Sequence, residues 1–316
     1  MPRRVQAGHI HLIHPTREVA RIVDPQDSFP GGGAGQTVTG SLLTPDPLPP
    51  FNYRAGVRFP TASLYKLVVK AAFCQAVDGG LIDPAAPVEL VPETRVPGPT
   101  GLSICLDPVC MSWRDLVELM TTISDNTAGH AVLCAVGHDR VAHTLRRLGL
   151  LQTNIRPYLL ATDLHTAGDG RDADNLDPYL LPDPREYDPL LVSSTTASDL
   201  VDILSFIWED HAATPSQCSF MRHVLGQQAW GHRFAEVFTC PGVQSAAKTG
   251  SLAALSHEAG VISHPDEPSI AVAVLTQSAR RERTIPLSNT VGGGKSLATA
   301  FVATARSCRY SWTAPI

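Results

Sequence analysis

Apolar positions along this chain follow more than one rhythm. From Ser63 onward, Leu64, Leu67, Val68, Ala71, Ala72 and Gln75 recur at steps of three and four, and Gly79-Gly80 ends the run. Nearly every face of that stretch is apolar, which predicts a buried helix with Ser63 at its opening. Ser112, with Asp115 three residues on, reads as a helix cap ahead of Leu116, Leu119 and Met120. That helix stops at Ser124-Asp125-Asn126. Further helices are expected over 127–136 and 138–148, and Thr196 caps another over 197–208. Beyond Gly242 the period shortens. The runs 245–252, 256–263 and 270–276 read as strands joined by short turns, an antiparallel meander. A closing helix is expected over about 294–306.

The rest of the chain is less regular. Residues 8–14 and 18–23 look like a first hairpin. The Gly- and Pro-rich stretch 24–50 reads as loop around one strand over 37–43. Residues 150–194 hold many Asp and Pro with little periodicity, and so long a loop in a compact domain is usually functional or mobile. Strands at both ends with helices between them predict one sheet built from both termini, carrying a helical insert.

Composition narrows the function classes. The chain has 316 residues, 43% of them hydrophobic, enough for a full core. A formal net charge of -5 argues against a nucleic-acid partner or an anionic membrane surface. No apolar run approaches the length of a membrane span. His9, His11 and His14 interrupt the N-terminal region where the apolar core of an export signal would lie. The expected location is the cytoplasm, or outside the cell if a leader precedes the sequence given. Seven scattered cysteines form no Cys-x-x-Cys pair and are expected to be reduced and mostly buried. His9-Ile-His11 would share a strand face, but no third ligand is evident, so neither a metal nor another cofactor is expected.

Three short motifs carry chemistry. They are Ser63-Leu-Tyr-Lys66, Ser124-Asp125-Asn126 and Lys248-Thr249-Gly250. A serine hydroxyl is a weak nucleophile until something takes its proton. Serine at the first turn of a helix and lysine three residues on share one face, and a buried lysine can lose its charge and serve as the base. The helix N-terminus adds unpaired N–H groups for an oxyanion. Ser-x-x-Lys alone is expected about once in a chain of this size, and Ser245-Ala-Ala-Lys248 is such a chance match inside a strand. All three motifs in order, each in a fitting setting, are not expected by accident.

With their surroundings, the segments Phe59-Pro-Thr-Ala-Ser63-Leu-Tyr-Lys66, Met120-Thr-Thr-Ile-Ser-Asp-Asn126-Thr-Ala, Thr195-Thr-Ala-Ser-Asp-Leu and Lys248-Thr-Gly-Ser251 resemble class A β-lactamases and the wider penicillin-binding superfamily. The resemblance covers roughly 51–306. It implies an α/β fold of the α+β type: a five-stranded antiparallel sheet flanked by helices, from 1–58 and 232–316, with residues 1–50 partly a loop-rich extension. An all-helical domain over 59–231 and an active site in the cleft between the two complete the implied architecture. It further implies that Ser63 is acylated, that Lys66 is base or proton relay, and that Ser124 hands a proton to the leaving nitrogen. Asn126 would hold the substrate amide. Lys248, helped by Thr249, would attract a substrate carboxylate, beside Gly250. Backbone N–H groups of Ser63 and Ser251 would form the oxyanion hole.

The resemblance breaks in one place. Class A enzymes carry a Glu-x-x-Leu-Asn element whose glutamate activates the deacylating water, and this sequence has none. Its nearest text is Arg185-Glu186-Tyr187-Asp188-Pro189-Leu190-Leu191, so Glu186 stands as the deacylation base to test, with Asp183 and Asp188 as alternatives. Arg280, Arg281 and Arg283 are either carboxylate binders or a solvated turn. The expected activity is a serine hydrolase acting on a small molecule, first of all a β-lactam. A D-alanyl-D-alanine peptidase or esterase on the same scaffold is the alternative, and a penicillin-binding module that acylates without turnover is another.

Overall fold

The computed structural model describes residues 12–13, 36–44, 51–156, 187–231, 242–252, 255–265 and 267–278. The expected closing helix and most of the first hairpin lie outside these residues, as do His9, His11, Asp183, Glu186, Arg280, Arg281 and Arg283. The chain forms two compact units. One comprises residues 1–57, 196–205 and 230–316, the other 58–195 and 206–229. The segment 196–205 thus belongs with the sheet and not with the helical stretch in which it falls along the sequence.

The first unit is built on a six-stranded sheet. Its strands are β1 (Leu12–Ile13), β2 (Gln36–Thr44), β3 (Phe51–Tyr53), β8 (Gln244–Leu252), β9 (Leu255–His264) and β10 (Glu267–Ser278). They run in the order β1-β2-β10-β9-β8, with β3 also paired to β2. The C-terminal meander and a strand from the N-terminal part therefore share one sheet, antiparallel throughout except for the parallel pair β1–β2. Ala271 to Leu275 are buried without a break, as expected of an interior strand covered on both faces. Gly260 lies opposite Ala247, and a Cβ there would come within 2.5 Å of the alanine's, so the pair closes only with glycine.

The second unit is mostly helical. Its core helix α1 (Tyr65–Asp78) follows a 3-10 turn at Ala62–Leu64 and buries ten side chains, from Lys66 to Ala76. Around it pack α2 (Trp113–Thr122), α3 (Asn126–Val136), α4 (His138–Arg147) and α6 (Pro215–Gly226). Fully buried side chains such as Leu67, Val69 and Phe73 each contribute about 1.5–3 kcal/mol relative to exposure. Ser112 caps α2 by accepting the Asp115 N–H, as its spacing predicts. In the first unit Thr196 does the same at the start of α5 (Ala197–Trp208), taking the Asp199 N–H at 3.2 Å.

Helix α6 escaped the sequence reading, although Thr214 caps it and Pro215 sits at its first turn. Two small sheets escaped it too: the hairpin of β5 (Pro87–Leu90) with β6 (Val109–Ser112), and the pair β4 (Phe59–Pro60) with β7 (Ser194–Thr195). The cysteines need a correction. All five described ones are free, but only Cys74 and Cys218 are buried, while Cys105, Cys110 and Cys134 are exposed. The exposed three lie on a loop, a strand edge and a helix surface, where no core stood to receive them.

Candidate active site

The chain enters the turn before Ser63 along β4. Thr61 donates its N–H to the Ser193 carbonyl at 2.8 Å, beside the β4–β7 pair. Ala62 then adopts φ +43°, a conformation non-glycine residues rarely hold. Strain of this kind persists where the surroundings over-determine it, and it falls on the residue before Ser63.

Ser63 is half-buried, and Lys66 behind it is 1% exposed. The Lys66 Nζ reaches four oxygens: Ser63 Oγ at 3.3 Å, Ser124 Oγ at 3.3 Å, the Ser124 carbonyl at 2.7 Å and Asn126 Oδ1 at 3.0 Å. Two of these can only accept and two are hydroxyls. A neutral amine fits that set: its two hydrogens go to the two carbonyl oxygens, and its lone pair is left for a hydroxyl proton. Burial pushes Lys66 down to about 7, against an opposing pull from the Asp125 carboxylate. Lys66 is therefore matched to proton transfer near neutrality.

The turn at Ser124 is held from below. Ser124 itself has φ +62°. Asp125 is fully buried; one carboxylate oxygen accepts the Ala128 N–H at 3.0 Å, capping α3, and the other accepts the Leu102 N–H. An arch over residues 96–103 closes against this turn. Asn126 Nδ2 donates to the Pro97 carbonyl at 2.9 Å, and Thr127 Oγ1 accepts the Val96 N–H at 3.0 Å. Gly101, at φ +58°, leaves the space that Asp125 fills, since a Cβ there would lie 2.1 Å from its Oδ2. Gly129 plays the same part for Lys66. The sequence places Asp125 in the second motif but suggests roles only for Ser124 and Asn126, and it gives no sign of the two glycines, whose importance comes from what packs against them.

The third motif lies on β8 in the first unit. Lys248 and Thr249 are buried, Gly250 is buried and Ser251 is exposed. Lys248 Nζ donates to the Thr249 carbonyl at 2.9 Å. Across the ladder these residues face Ala259, Glu258, His257 and Ser256 in turn. Ser63, Lys66, Ser124 and Asn126 thus form one cluster, and Lys248, Thr249, Gly250 and Ser251 form another. Asp188, expected from the sequence as an alternative to Glu186, accepts the Leu190 N–H at 2.8 Å through its carboxylate and so stabilises a turn. Among the described residues no group of three or more His, Cys, Asp or Glu is placed to hold a metal ion. No described helix is long and apolar enough to cross a membrane.

A third buried lysine was not anticipated. Lys70, one turn along α1 from Lys66, is fully buried, with the Met221 carbonyl at 3.4 Å. Burial pushes it down to about 7, and the nearby Cys74 thiol is pushed up to about 12 by its own burial.

The model of a beta-lactamase enzyme family matches residues 15–292. A β-lactamase regulatory protein, BlaB of Streptomyces cacaoi, is 28% identical over 281 residues, spanning 78% of this chain and 86% of its own. The crystal structure of a β-lactamase from Sphaerobacter thermophilus superposes with a TM-score of 0.71 at 26% identity, covering 86% of this chain and 93% of that one. The structure of PBP-A shares the fold, with a TM-score of 0.68 at 19% identity over 86% and 92% of the two chains.

Proposed function

The chain belongs to the beta-lactamase enzyme family, and from that premise we propose that it forms an acyl-enzyme through Ser63, with a β-lactam as the first substrate to test. The observation that carries the proposal is the contact of the buried, uncharged-leaning Lys66 amine with both hydroxyls, Ser63 Oγ and Ser124 Oγ. Lys66 takes the Ser63 proton as Oγ attacks the lactam carbonyl carbon. The ring C–N bond breaks, and the leaving nitrogen receives its proton through Ser124. Asn126 holds the substrate amide, Lys248 and Thr249 attract its carboxylate, and the Ser63 and Ser251 N–H groups hold the oxyanion. Gly250 lets substrate approach the strand. Glu186 is assigned the water-activating step.

Labelling by a fluorescent penicillin tests this directly. The native protein labels, while Ser63→Ala and Lys66→Ala do not; normal labelling of either variant contradicts the assignment.

A second reading has support of its own. The sequence lacks the Glu-x-x-Leu-Asn element, and a relative carries the name of a regulatory protein. Both favour a module that is acylated and stays so, signalling exposure instead of destroying the drug. Glu186→Gln separates the readings: it traps the acyl-enzyme of a hydrolase and leaves a sensor unchanged. Peptidase or esterase activity on the same scaffold would appear as turnover of D-alanyl peptides or simple esters without turnover of penicillins.

A further inference from the structure

Behind the Gly250–Ser251 end of β8, two side chains replace the backbone ladder. From Ile270 onward β10 keeps one register with β9, with Val274 opposite Glu258 and Gln277 opposite Leu255. A regular antiparallel pair between them would join the Thr276 N–H to the Ser256 carbonyl. Instead the Thr276 N–H donates to His257 Nδ1 at 3.1 Å, and the Thr276 hydroxyl donates to the Ser256 carbonyl. His257 is fully buried. Because its Nδ1 accepts, its ring proton sits on Nε2 and the imidazole is neutral.

The other edge of the same two residues holds the third motif. His257 is directly opposite Gly250, and Ser256 is opposite Ser251. Directly opposed side chains lie on one face, and Gly250 puts none there beside the imidazole. Residues 256 and 257 therefore connect to β10 through side chains and to β8 through the ordinary ladder. How far β9 stands from β10 at this point, and hence where β8 presents its last N–H groups, depends on the reach of an imidazole and a hydroxyl.

We propose that His257 and Thr276 form a positioning clasp that sets the placement of the Gly250–Ser251 backbone, and through it the oxyanion donor of Ser251. The inference rests on the acyl-enzyme reading above for its consequence, but not for the clasp itself. Asparagine carries its Oδ1 where histidine carries Nδ1, so His257→Asn preserves the acceptor. His257→Leu removes it at similar bulk, and Thr276→Val removes the hydroxyl at equal shape.

Two measurements on the full chain, well below the melting temperature of each variant, test the clasp. The first is amide hydrogen exchange at Thr276 and its ladder neighbours on β10. In His257→Leu these amides exchange at least roughly tenfold faster, and in His257→Asn they stay protected. The second is penicillin acylation, where misplacement of the donor by a fraction of an ångström slows the bond-forming step by about 10- to 100-fold in His257→Leu while initial binding holds. Thr276→Val shows the same pattern more weakly and supplies the answer if His257→Leu does not fold. Protected amides with native acylation in His257→Leu, or in Thr276→Val should the leucine variant not fold, overturn the proposal. So does equal damage in His257→Asn. If the native protein takes no acyl group at all, the functional reading fails, and the exchange data still decide the clasp.

Discussion

Gly129 on α3 and Lys66 on α1 approach so closely that a Cβ on the glycine would lie 2.9 Å from Lys66 Cε and 3.0 Å from the Tyr65 hydroxyl. The lysine's stem could swing aside, but its Nζ is fixed by four oxygens, so any swing moves the amine proposed as base away from the hydroxyls it contacts. In Gly129→Ala the gain in helix propensity, up to about 1 kcal/mol, offsets the clash, and the melting temperature changes little. Acylation falls by roughly 10- to 100-fold, because a small misplacement of a base is costly. Parallel thermal melts and acylation rates check this; unchanged acylation would mean that the lysine's position is not critical.

Lys66 also gives acylation a pH profile. Only the neutral amine can accept the Ser63 proton, and the folded protein holds Lys66 down to about 7. The second-order acylation rate therefore rises with pH through an acid limb near neutrality and levels above it. The Asp125 carboxylate pulls Lys66 upward, so Asp125→Asn moves the limb to lower pH. The same substitution turns one acceptor into a donor facing the Leu102 or Ala128 N–H, costing about 1–3 kcal/mol of stability. Rates measured from pH 5 to 9 separate the two effects. A limb that stays put or moves up contradicts the assignment.

Lys70 yields a stability prediction. Its folded pKa, about 7, lies below the 10.5 of an ordinary lysine, so between these values the unfolded chain binds more protons. The cost of burying Lys70 is largest below about pH 7 and is relieved as pH rises toward 10.5. Lys70→Met keeps the volume and abandons the buried amine, so it should stabilise the protein by about 1–4 kcal/mol at neutral pH. Its stability should also rise less steeply with pH than that of the native chain. Urea titrations at pH 7 and 9.5 test both; a loss of stability at pH 7 would mean that Lys70 has a role in holding α1 against α6.

Gly101 holds the arch against Asp125. Gly101→Ala meets both a positive φ of +58° and the carboxylate, and should destabilise the protein by about 1–3 kcal/mol. Unlike Asp125→Asn, it leaves the charge beside Lys66 in place, so the acid limb keeps its midpoint while the plateau falls. A shifted midpoint would show that the arch acts on Lys66 electrostatically as well as sterically.

Much of this is legible in the sequence, because the signals are local. Capping residues Ser112 and Thr196, the apolar run after Ser63 and the alternating stretches after Gly242 each mark an element through its own chemistry. The spacing of Ser63 and Lys66 likewise requires only helical geometry. What escaped was tertiary. Nothing near Gly129 in sequence says that Lys66 packs on it, and nothing near Asp125 announces Leu102. Lys70 looked like one more residue in a helix already read as buried. The pairs β4–β7 and β5–β6 depend on partners far along the chain and are too short to show a period. Helix α6 did carry a signal, Thr214-Pro215 ahead of Cys218, Met221, Val224 and Leu225, and it was within reach of the same rules.

Covalent chemistry at Ser63 underlies every step proposed above, and time-resolved intact mass spectrometry after mixing with a penicillin reads it. The native protein gains one intact penicillin mass, and Ser63→Ala gains none. Decay of that adduct marks a β-lactamase, and persistence marks a module that acylates without turnover. An adduct on Ser63→Ala, or none on the native chain, would rule out acylation at Ser63.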